Sequence, residues 1–145
     1  MRIQILALAA AALLAPLPAA ATDWYRIAGD EVADWYIDAD KIEQNGQWTV
    51  AVQYTIYHNV SPETGVKRAW ARIEFDCKAR NMRASYFSAF GPEGDKLSDM
   101  AWPDDGKLHD LPANSPLERA ANFVCGVDRS GAVKVEDPWP GEPAD

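Results

Sequence analysis

The chain is short of the residues that carry metal, thiol and nucleic-acid chemistry. Its 145 residues include two histidines, two cysteines, and 14 Lys+Arg against 22 Asp+Glu, for a net charge of -8. His58 and His109 stand in no H-x-x-x-H or H-E-x-x-H pattern, so no metal site is expected. The shortage of positive charge excludes a nucleic-acid binder, because neutralising phosphates takes a basic face. Long apolar runs are also missing. The longest, Ile5 to Ala15, has eleven residues, well below the about 20 helical residues that cross ~30 Å of hydrocarbon. No membrane span is expected. G-x-S-x-G, phosphate-loop and dinucleotide fingerprints are all absent, so no cofactor is expected and no nucleophile is marked.

What is present begins with an export signal. Arg2 precedes the apolar run, Pro16 and Pro18 break it, and Ala19-Ala20-Ala21 offers the small residues that a signal peptidase reads. Residues 1–21 are therefore read as a cleaved signal peptide, with cleavage after Ala21 and a periplasmic or secreted product. Thr22 stands where a lipid anchor would need Cys, so no lipid anchor is expected. Cys77 and Cys125 are separated by 48 positions in the mature part. In an oxidising compartment two such cysteines pair. The alternatives are a reactive thiol or a metal ligand, for which no His or Cys stands at ligand spacing.

Two long segments alternate. Trp48, Val50, Val52, Tyr54 and Ile56 share one parity of the first; Ala69, Ala71, Ile73, Phe75 and Cys77 share one parity of the second. Period two with β-branched and aromatic residues marks strands. If both sets face one core, the hairpin register brings Tyr57 near Arg68, Thr55 near Trp70 and Gln53 near Arg72. Shorter strands are read at Trp24 to Ile27, Val32 to Asp38, Met82 to Phe90 and Leu97 to Trp102. Asp38 can cap one helical turn. Ser115-Pro116-Leu117-Glu118 is a helix start with a capping box, and Gly126 suits its stop. The helix over Pro116 to Cys125 is too short to persist alone and must dock on the sheet. The stretch 127–145 is acidic and proline-rich and reads as a mobile tail.

Chemistry is sparse. The D-x-D of Asp38 and Asp40 lacks the Gly and the distal acid of a calcium loop. A carboxylate hydrolase could be assembled from Glu74, Asp76, Asp104 or Asp105 if the fold converged them. Trp102 to Gly106 lies in the longest loop, a place where binding often resides. The more informative feature is an outer row of Tyr57, Arg68, Trp70 and Arg72, since aromatics beside arginines are typical of protein contact surfaces. The opposing reading has Trp70 covered by the N-terminal strands or the tail, or simply stacked by arginines.

The order of these features resembles the surface-adhesin protein E family of exported proteobacterial proteins. The carrying residues are Trp24, Tyr36-Ile37-Asp38 and Ile42, the strand Val50 to Tyr57, and Ala71-Arg72-Ile73-Glu74-Phe75-Asp76-Cys77. Tyr86, Gly91, Trp102, Ser115 and Phe123-Val124-Cys125 complete the pattern. The resemblance implies an α+β fold: an antiparallel sheet of about six strands, with one C-terminal helix on its concave face held by a Cys–Cys bond. It places that domain at residues 22–126. It also implies a non-catalytic binding module, whose ligand is a protein, of the envelope or of a host, or another envelope component. A small periplasmic hydrolase is the alternative, and a homodimeric envelope protein using its sheet edge or outer face is another.

Overall fold

A computed structural model describes residues 23–101 and 107–139. The leader with its cleavage site, the loop residues Trp102, Asp104 and Asp105, and residues 140–145 lie outside the described residues. In chain order the elements are β1 (Trp24–Gly29), β2 (Ala33–Asp38), a 3-10 turn (Ala39–Lys41), β3 (Glu43–Asn45), β4 (Trp48–Tyr57) and β5 (Arg68–Asp76). They continue with β6 (Asn81–Phe90), β7 (Lys96–Ala101), β8 (His109–Asp110), α1 (Pro116–Val124) and β9 (Val133–Val135). One antiparallel sheet runs in the order β7-β6-β5-β4-β2-β1-β9, with β3 beside β4 and β8 beside β6. The sheet thus has nine strands where about six were read from alternation. The additional β3, β8 and β9 are two or three residues long, too short for period two to register.

Local chemistry explains most boundaries. Asp38 Oδ1 accepts from the Asp40 N–H at 3.0 Å and starts the 3-10 turn. Gly46, at φ +60°, reverses the chain between β3 and β4. Ser115 Oγ accepts from the Glu118 N–H at 3.1 Å, and Pro116 opens the helix. Glu118 reaches one residue further back than a capping box requires, accepting from the Asn114 N–H at 2.8 Å. Gly126, at φ +69°, takes the chain out of the helix. Cys77 and Cys125 are joined, with Cα atoms 5.6 Å apart.

The hairpin register corrects the parity argument. β4 pairs with β5 so that Tyr54 opposes Trp70 and Val52 opposes Arg72, one residue from the expected match. The expectation assumed one buried face per strand, but β4 is buried on both: Val50 and Tyr54 on one side, Ala51 and Thr55 on the other. Mostly aliphatic residues, Ala51, Ile73, Met82 and Ala84, together with Phe75, receive α1 through Ala120, Ala121, Phe123 and Val124. The large aromatics, Trp24, Tyr54 and Phe90, form a second cluster with Trp139 on the opposite, outer face. The two apolar sets that seemed to share a core therefore belong to different faces. A bulge explains the imperfect alternation of β6. Arg72 opposes Tyr86 and Ile73 opposes Ala84, leaving Ser85 between them.

Candidate binding face

The outer face of β5 and β6 carries a connected set of arginines and aromatic rings. Arg68, Trp70 and Arg72 follow one another at two-residue spacing on β5, so they share that face. The bulge at Ser85 turns Tyr86 to the same side, where its ring lies 4.9 Å from that of Trp70 at 34°. Arg72 Nη1 donates to Glu74 Oε1 at 2.8 Å and to Ser85 Oγ at 3.2 Å. Arg83 Nε donates to Glu74 Oε2 at 2.6 Å, and its guanidinium lies 4.3 Å over the Trp48 ring. Glu74 is only 5% exposed. Two guanidiniums saturate both of its oxygens, which is how a buried carboxylate is kept without an unpaired charge. The ladder is thereby held in fixed geometry, with both arginines partly open to solvent.

Tyr57 does not belong to this row. Its backbone N–H donates to Lys67 O at 3.0 Å, which continues the same register and turns its side chain to the other face. There it borders a shallow recess with Ser61, Thr64 and Val66. The error follows from the one-residue register shift. Tyr86 and Arg83 were missed because β6 changes parity at the bulge. Trp139 was set aside with the tail, although a tryptophan among prolines and acids is itself a signal of burial, given its large apolar surface.

Two of the four acidic residues considered for hydrolysis, Glu74 and Asp76, are engaged in contacts of their own. Glu74 is held by Arg72 and Arg83. Asp76 Oδ1 accepts from the N–H groups of Lys78 and Ala79 at 3.0 and 2.8 Å, closing the turn after β5. Asp104 and Asp105 lie outside the described residues. Of the histidines, His58 sits 3.1 Å from Asp34 Oδ2, while His109 lies in β8. Among the described residues no three of His, Cys, Asp and Glu come together as a metal site. A second concavity of about 370 Å³ opens on the helix face, lined by residues including Gln53, Ala71, Ile73, Met82, Ala84 and Leu117.

One buried group on the outer face titrates unusually. Asp38 is 0% exposed, and burial raises its carboxyl above the ordinary 3.8, with the Asp40 N–H and Lys41 opposing and Asp40 and Asp137 adding to the rise. The folded chain then holds this proton more tightly than the unfolded chain. The associated stability is complete below the ordinary value and is lost as pH rises through the folded one. Asp38→Asn keeps an oxygen for the cap. It is expected to raise the urea midpoint at pH 7 and to leave it nearly unchanged at pH 3. A lower midpoint at pH 7 would mean that the carboxylate is stabilised in its ionised form.

A family model described as surface-adhesin protein E matches residues 24–126 of the chain. No curated protein and no solved structure matches it.

Proposed function

The chain belongs to the surface-adhesin protein E family, and on that footing we propose that it is an exported, non-catalytic binding protein whose ligand is a protein or another component of the cell envelope. The observation that carries this reading is the Arg68–Trp70–Arg72 row with Tyr86 stacked beside it. A half-buried indole between guanidiniums offers area at little entropic loss, together with donors for a partner's carboxylates and carbonyls. Export is supported by the leader and by the Cys77–Cys125 bond, which is stable in an oxidising compartment. The product is periplasmic or secreted. No helix among the described residues is long and apolar enough to cross a membrane.

The test is a pair of substitutions on the row. Trp70→Ala combined with Arg72→Ala is expected to weaken binding to immobilised envelope proteins about thirtyfold, the effect of losing a contact hot spot. Circular dichroism should report an unchanged fold, since Arg83 still neutralises Glu74. Undiminished binding by the folded double variant would remove the row from the site.

A further inference from the structure

The segment after α1 carries more structure than its composition foretells. β9 adds to the edge of β1, with Val135 opposite Trp24 and Val133 opposite Arg26. The chain then crosses onto the outer face and seats Trp139, 4% exposed, among Trp24, Tyr54 and Phe90. Tyr54 and Phe90 meet the indole edge-on, with centroids at 5.7 and 4.6 Å. The Arg68 guanidinium lies 5.3 Å over it. Strand addition at a sheet edge and one aromatic anchor in a preformed seat are two of the devices by which folded domains capture extended peptides.

Two observations separate this strap from its seat, and a third bears on what the seat accepts. Trp24, Tyr54 and Phe90 fall within the 24–126 stretch that the family pattern spans, whereas 133–139 lies beyond it. Between the strand and the anchor the strap is exposed at Glu136 and Asp137, and Asp137 Oδ1 accepts from the strap's own Trp139 N–H at 2.8 Å. Charge is favourable on one side of the seat: the strap brings Glu136 and Asp137, and the seat presents Arg68 and, 6.0 Å over the Phe90 ring, Lys96, while Asp137 also lies close enough to the buried Asp38 to raise its carboxyl and the strap's Lys134 pairs with Asp23.

We propose that the outer face is a docking site for an extended, acidic segment of a partner protein bearing a proline-flanked tryptophan, and that residues 133–139 occupy it in cis as a displaceable stand-in. The proposal rests on the reading of this face as the binding face and names the partner's chemistry. Burial of one indole with a three-residue ladder keeps the strap mostly closed. An incoming segment therefore meets an apparent affinity lowered about thirty- to a hundredfold by the small open fraction.

The probe is a labelled peptide of residues 132–139, titrated into two full chains. In one, Val135→Pro and Trp139→Ala release the strap; the other is wild type. The released chain is expected to bind the peptide at least about thirtyfold more tightly than wild type, and a peptide with Trp139→Ala is expected not to bind. A folded released chain that ignores the peptide overturns the proposal, as does equal binding by the two chains. Either failure leaves the Arg68–Trp70–Arg72 reading standing, because that is tested by row variants against envelope proteins. A full chain that forms dimers through exchanged 133–139 segments would assign the seat to a second copy and overturn the foreign partner. Should the released chain fail to melt cooperatively, hydrogen exchange on wild type decides. Excess peptide should speed exchange at 133–139 while the amides of β4 and β5 stay protected; exchange of 133–139 only with global unfolding overturns the displacement.

Discussion

Replacing both cysteines, Cys77→Ser with Cys125→Ser, is expected to lower the unfolding free energy by about 4 kcal/mol, the loop-closure value for a crosslink of this span. The bond closes a sequence separation of 48. It also joins the end of β5 to the end of α1, beside the packing of the two elements and the Arg80–Glu118 ion pair at 3.8 Å. Cys77 follows the end of β5, and Cys125 is the C-cap of α1, its N–H donating to Ala121 O at 2.8 Å. A nine-residue helix nucleates poorly in isolation. Its order depends on docking over Ile73, Phe75 and Ala84 and on the crosslink that restricts how far it can wander in the unfolded chain. Against a typical total of about 5–15 kcal/mol, the loss should leave the domain marginal. Urea titrations of the oxidised chain, the reduced chain and the double-serine variant measure it. Reduced and double-serine chains should coincide, and a midpoint unchanged from the oxidised chain would show that the crosslink constrains nothing.

The second large effect is expected at Phe123, where truncation to Ala should lower stability by about 3–5 kcal/mol. Phe123 is 2% exposed. Its ring lies 5.1 Å from that of Tyr25 on the sheet side, and the Arg129 guanidinium covers it at 4.6 Å. Arg129 Nε also donates to Phe123 O at 3.0 Å, so the cover is fixed by a hydrogen bond as well as by the ring. Truncation leaves a cavity that the helix cannot easily close, because Ala120 and Ala121 already sit against the sheet and Cys125 is tethered. The two perturbations should therefore be less than additive. In the double-serine background the helix is free to settle toward the void, and Phe123→Ala should do less damage. Full additivity in a double-mutant cycle would show that tether and ring act independently.

The elements whose origin is local were legible from the residues. Alternation in 48–57 and 68–76 marks β4 and β5. Ser115-Pro116 with Glu118 marks the start of α1, and Asp38 marks its turn. The pairing of the two cysteines followed from compartment and number. Tyr57 was misplaced for a definite reason. Alternation tells which residues share a face, but not whether the other face is covered as well. Here both faces of β4 are covered, by α1 on one side and by Trp139 with its aromatic neighbours on the other. Residues 133–139, read as tail, hold β9 and the Trp139 anchor. Their fit depends on a cavity built from strands more than a hundred positions earlier in the chain, and on others such as Tyr54 and Phe90.

Read alone, the residues determine the long strands and the helix, the acidic character and the pairing of the two cysteines, because each of these is governed by near neighbours, by composition or by number. Assembly in three dimensions settles the rest: which side of the sheet receives the helix, the one-residue register of β4 on β5, and the neutralisation of Glu74 by Arg72 and Arg83. It also settles the seating of Trp139. These are contacts between distant segments, chosen by the fit of volume and charge across the whole domain, and no short window of sequence contains both partners.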